Sequence, residues 1–102
     1  MARYRVASAG EVPIESVKGV LAGEQELCLA HCVDDHFYAL DDVCTHENFL
    51  LSQGELFEFD VECPQHGSRF NVKTGKVTGL PAVIPTRTFP VTVEDGDVYV
   101  DV

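Results

Sequence analysis

Two short segments constrain this chain more than any other feature: Cys44-Thr45-His46 and Cys63-Pro64-Gln65-His66. Each carries one thiol and one imidazole, and 16 residues separate His46 from Cys63. A metal held by all four groups requires the intervening chain to turn back, so that the two segments become facing loops. Pro64 restricts the second loop and Gly67 frees it just after His66. Rigid loops suit a centre that changes oxidation state, because its ligands should not rearrange. One Cys beside one His is often accidental, and buried cysteines are common. Two such pairs, each next to turn residues, point to a shared site. Cys₂His₂ is also a ligand set of structural zinc, but zinc sites usually pair Cys with Cys and His with His. The mixed pairs here fit that habit poorly.

The rest of the chain reads as short strands. Residues 2–7 alternate Arg3 and Arg5 with Tyr4 and Val6, and residues 17–22 and 25–33 are strand-like runs separated by Gly23. Asp34-Asp35 then turns the chain into a second arm over residues 36–40. Ser8 and Glu11 have capping-box spacing, with room for only one short turn. Residues 57–62 alternate and run straight into Cys63, between turn material at Ser52-Gln53-Gly54 and Thr74-Gly75. Residues 87–94 and 97–102 flank Asp95-Gly96, a two-residue hairpin signal. This pattern predicts an all-β fold of short antiparallel strands forming a small sandwich or barrel. The 102 residues suffice for a single domain, with residues 43–84 as a ligand-bearing subdomain inserted between the basal strands.

Charge narrows the partners. Asp and Glu number 17 against 7 Lys and Arg, a net charge of −10. Nucleic acid is therefore not an expected partner, whereas a basic protein face is. No apolar run approaches the roughly 18 residues needed to cross a bilayer. The opening Met1-Ala2-Arg3-Tyr4-Arg5 leads into mixed polar sequence, so no secretory signal is expected, and the chain is expected to be cytoplasmic. Cys28 and Cys32, four residues apart on one strand, would stand about 13 Å apart, beyond the ~7 Å reach of a disulfide. They read as small core residues. His31 alternates with Leu29 and Val33 and reads as packed; His36, at the turn, reads as exposed. A mononuclear iron site of two His and one carboxylate would need both, and they flank a single hairpin. No Gly-rich phosphate loop or Ser-His-Asp set is present. The chain is therefore not expected to be itself an oxygenase or a nucleotide-binding reductase.

Cys-x-His, 16 residues, then Cys-x₂-His followed by Gly67-Ser68-Arg69-Phe70 resembles the Rieske iron–sulfur motif. Gly79-Leu80-Pro81 is similar to that family's third, proline-containing loop. The resemblance implies a 2Fe–2S cluster with Cys44 and Cys63 on one iron and His46 and His66 on the other. Gly67, Ser68 and Pro81 would surround it, with Ser68 able to donate a hydrogen bond to a cluster sulfur. Rieske proteins of respiratory and photosynthetic quinol-oxidising complexes carry an extra cysteine in each loop, forming a disulfide; Phe49 and Gln65 stand at those positions here. The chain therefore looks like the Rieske ferredoxins of bacterial aromatic ring-hydroxylating dioxygenases. Those proteins pass single electrons from a flavoprotein reductase to the Rieske centre of a terminal oxygenase. The alternatives are a Rieske ferredoxin of a diiron aromatic monooxygenase, the small subunit of a nitrite reductase or, from another class, a Cys₂His₂ zinc module without redox activity.

By the same resemblance the histidine-bound iron lies nearest the surface. Phe49, Leu50, Pro64, Leu80 and Pro81 then form an apolar docking tip, with Glu47 steering a basic partner to a monomeric carrier. The competing reading has Phe49 or Leu80 packing the small subdomain. Two neutral imidazoles in place of two thiolates ease electron addition, giving about −150 to +300 mV for Rieske centres against about −400 mV for plant-type ferredoxins. The missing disulfide and the carboxylates Asp41, Asp42, Glu47, Glu55 and Glu62 predict the low end of that range, while a Ser68 hydrogen bond would raise it. Loss of the ligands' remaining ring protons should make the potential fall as pH rises.

Overall fold

Left-handed residues divide the chain into strands: Gly23 (φ 64°), Asp35 (65°), Glu58 (55°) and the pair Asp95-Gly96 (51° and 80°) each sit at a reversal. The computed structural model describes residues 2–45, 49–64, 67–80, 82 and 84–102. They run through β1 (Arg3–Ser8), β2 (Ser16–Ala22), β3 (Gln25–His31) and β4 (Phe37–Asp41). Next come β5 (Glu55–Phe57), β6 (Asp60–Glu62), β7 (Arg69–Asn71) and β8 (Val77–Gly79). The chain returns through β9 (Thr88–Phe89), β10 (Val91–Glu94) and β11 (Asp97–Asp101). Three antiparallel sheets result, in the orders β1-β11-β10, β2-β3-β4-β9 and β5-β6-β7-β8. The third is built wholly between β4 and β9.

The middle sheet is covered on both faces. Leu27 and Leu29 of β3 pack with Val20, Ala39, Val98 and Val100 on one side. Cys28 and Ala30 of the same strand, with Cys32 just beyond it, pack with Leu40, Leu56, Val61 and Phe70 on the other. A strand buried on both faces has no polar side to alternate with, which is why Leu27-Cys28-Leu29-Ala30 is apolar throughout. Cys28 and Cys32 are buried, and no disulfide is present among the described residues. His31 is packed as expected: its ring stacks on Phe37 at 4.0 Å, with Nδ1 2.7 Å from Val12 O and Nε2 2.7 Å from an Asp35 oxygen. His36 is exposed.

Three expectations are corrected, and the short turn expected after Ser8 is found. Residues 57–62 are a hairpin, not one strand: Glu58 takes positive φ, and Phe57 pairs with Asp60. The alternating pattern there reflects two short strands that each bury one residue, Leu56 and Val61. Residues 87–94 are broken at Pro90, which has no N–H for a ladder; β9 pairs with β4 and β10 with β11, so the chain changes sheets at the proline. The strand expected over residues 25–33 ends at His31, because Cys32 accepts the Asp35 N–H at 2.9 Å and closes a turn. Ser8 precedes a 3₁₀ turn at Ala9–Glu11 but makes no side-chain cap. Among the described residues no helix is long and apolar enough to cross a membrane.

Candidate metal centre

The two cysteine segments are closed in the same way. Val43 pairs with Leu50, and Glu62 pairs with Arg69. Each pair brackets six residues, 44–49 and 63–68, and each loop opens on a cysteine. In both, the cysteine N–H donates to the carbonyl five residues on: Cys44 to Phe49 O at 2.8 Å and Cys63 to Ser68 O at 2.7 Å. Two loops of equal length and equal closure present two buried sulfurs, and both cysteines belong to the same core cluster. His46 and His66 fall within these loops but lie outside the described residues, as do Glu47 and Pro81. Among the described residues alone no metal-binding group of three His, Cys, Asp or Glu side chains forms.

The second loop turns at Gly67, whose φ of 75° favours glycine although a Cβ there would meet open space. Ser68 is fully buried, and its Oγ accepts the Ala82 N–H at 3.1 Å. A hydroxyl that accepts still has a hydrogen to give, as a sulfide acceptor in the loops would require. Buried thiols at two matched loop entries, with a buried hydroxyl beside them, fit a sulfur-bridged cluster.

Three of the carboxylates expected near the loops have partners in the structure. Arg87 clamps Asp41 through two bonds of 2.7 and 3.1 Å, and Arg69 Nε donates to Glu62 at 2.7 Å while its guanidinium covers the Phe57 ring. Asp42 is buried, and burial pushes its carboxyl up despite bonds from Ser52 N–H and Oγ–H, both 2.8 Å. Glu55 is exposed, and Glu47 lies outside the described residues.

Phe49 (39% exposed) and Leu80 (77%) face solvent rather than packing the small sheet. Pro64 is exposed and Leu50 half-buried. Two further exposed apolar residues escaped the sequence reading, Val43, beside Leu21, Asp41 and Arg87, and Ile84 (60% exposed). Val43 directly precedes Cys44, and that adjacency was the available signal.

A model of the Rieske [2Fe-2S] domain matches residues 2–90. The chain belongs to the Rieske family. Its cofactor is therefore a Rieske 2Fe–2S cluster, and the structural-zinc reading falls. This Rieske protein is 37% identical to the ferredoxin component of biphenyl 2,3-dioxygenase from Rhodococcus jostii (strain RHA1), over 99% of this chain and 94% of that one. It is 44% identical to the ferredoxin component of the p-cumate 2,3-dioxygenase system of Pseudomonas putida, over 71% of this chain but only 62% of that protein. Among solved structures it resembles the ferredoxin in a complex of reduced oxygenase and oxidized ferredoxin of carbazole 1,9a-dioxygenase, with a TM-score of 0.88, 37% identity and coverage of 96% and 91%. It is a Rieske ferredoxin.

The remaining cysteines are not part of this chemistry. Burial, with Asp42 nearby, lifts the Cys28 thiol well above its ordinary value; burial, with Asp34, lifts that of Cys32 to about 12. Since the thiolate is the reactive form, neither should alkylate with iodoacetamide at about pH 8 in the folded protein. Mass spectrometry of native against denatured samples checks this, and rapid native labelling of either residue would contradict it.

Proposed function

We propose that this ferredoxin is a one-electron carrier between a flavoprotein reductase and the terminal oxygenase of a multicomponent aromatic ring-hydroxylating dioxygenase. The observation that carries the reading is the matched pair of cysteine-led loops, each with an exposed apolar residue, Phe49 in the first and Pro64 in the second. Cys44 and Cys63 would hold one iron, and His46 and His66 the other. When bound, the cluster supplies a single reversible electron at a potential set by its ligands. Ser68 would donate its hydrogen to the sulfur side, and Gly67 would let the loop turn beside it. Residues 43–84 would act as the cluster-bearing unit on the basal strands.

Phe49, Leu50, Pro64 and Leu80, joined by Val43 and Ile84, would form the face that a partner covers, with Glu47 steering a basic surface. The protein would itself turn over no substrate and would work as a monomer in the bacterial cytoplasm. Likeness to ferredoxin components of bacterial dioxygenase systems supports the carrier role. With Asp41 and Glu62 paired, the absent disulfide becomes the main reason to place the potential toward about −150 mV.

Low-temperature EPR before and after dithionite tests the centre. The oxidised protein should be silent, and the reduced one rhombic with an average g below that of all-cysteine ferredoxins. No signal, with zinc in place of iron, would sink the reading. Reoxidation by a terminal ring-hydroxylating oxygenase then tests the role, and its rate should fall as salt rises if charge steers docking.

A further inference from the structure

We infer that Thr45 is a positioning residue whose hydroxyl latches the third loop, residues 80–86, onto the first ligand loop. The inference rests on the ligand reading above, in which Thr45 stands between the ligands Cys44 and His46. Thr45 Oγ1 donates a 2.6 Å hydrogen bond to the carbonyl of Ile84, 39 residues further along the chain. From the second ligand loop, Ser68 Oγ takes the N–H of Ala82 at 3.1 Å. One hydroxyl from each ligand loop thus grips the third loop at points two residues apart.

The ends of that loop are held separately. Gly79 pairs with Arg69, Thr86 N–H donates to Gly75 O at 2.9 Å, and Arg87 O accepts the Asp41 N–H at 3.0 Å. Between these anchors, among the described residues, Leu80 and Ile84 are exposed and Ala82 is buried. Exposed loop positions such as Leu80 and Ile84 add little packing, so the polar ties at Ala82 and Ile84 weigh in holding the loop. Ser68 holds it from the second loop; Thr45 is the tie from the first. The β-branch of Thr45 restricts its χ1, so the hydroxyl is held in few directions. The latch holds the backbone at Ile84 against the first ligand loop and so limits the access of water to the space between the loops.

The test uses the loaded protein as wild type, Thr45→Val and Thr45→Ser. Valine keeps the shape and removes the hydroxyl; serine restores it. Hydrogen exchange of the peptide spanning residues 78–87, read by mass spectrometry, should be about five- to tenfold faster in the valine variant, as expected for one lost hydrogen bond. Bleaching of the oxidised protein by EDTA should quicken in parallel, with the serine variant near wild type and the rhombic EPR signal unchanged in all three. Equal exchange in wild type and Thr45→Val would overturn the latch. If the valine variant does not accumulate in loaded form, Thr45→Ala, which adds no atoms, takes its place with the same two outcomes. A wild type without the rhombic signal would instead overturn the ligand reading, since exchange of residues 78–87 reads the latch whatever metal is bound.

Discussion

Cys63→Ser should abolish the iron–sulfur spectrum, leaving protein with neither the visible bands nor the rhombic signal of the reduced state. Serine has nearly the volume of cysteine but offers a hydroxyl that stays protonated near neutral pH, where a thiol bound to metal is deprotonated. The backbone bond from residue 63 to Ser68 O does not involve the side chain, so the loop can still close. Cys44→Ser should behave alike, because the two loops are built alike. The informative contrast lies within the same core cluster, which also holds Cys28 and Cys32. Cys28→Ala and Cys32→Ala should lose about 1 kcal/mol through the small cavity left, yet keep full iron and acid-labile sulfide. Iron and sulfide analysis of the four variants is the check. A cluster surviving Cys63→Ser at full occupancy would remove Cys63 from the ligand set.

Gly54→Ala should lower stability by about 3 kcal/mol, read as a drop in the urea midpoint, since the contact it creates has no flexible side to yield. A Cβ at position 54 would stand 1.8 Å from the backbone oxygen of Glu62, a separation real Cβ atoms essentially never show. Gly54 has φ of −90°, so its requirement is contact and not handedness. Glu62 is the last residue of β6, immediately before Cys63. Any relief must move β6, so the variant should also lose its cluster to EDTA faster than wild type. Gly10→Ala, where an added Cβ meets nothing within 4 Å, is the control and should stay within about 0.5 kcal/mol of wild type. An unchanged midpoint for Gly54→Ala would mean that β6 can move away without cost.

The chemistry of the centre was legible in the chain because ligand type and spacing are local properties. Cys44-Thr45-His46 and Cys63-Pro64-Gln65-His66 stand out by residue type and spacing, and the Rieske family match agrees with the family those segments suggest. The hairpin at Asp95-Gly96 was equally plain, since a left-handed pair of residues specifies a reversal without help from distant chain. The turn at Glu58 was hidden because glutamate carries no turn signature, and neighbouring alternation imitated one longer strand.

What the sequence by itself determined was therefore the Rieske family, the all-β class and the turns marked by glycine and aspartate. The tertiary structure alone decided the rest. The closures at Val43–Leu50 and Glu62–Arg69 match only after folding, and the carboxylates meet Arg69 and Arg87 across loops. Thr45 finds Ile84 39 residues away. The Arg87–Asp41 and Thr45–Ile84 contacts join positions 46 and 39 residues apart, and no local preference of a residue specifies which remote carboxylate or carbonyl it will face.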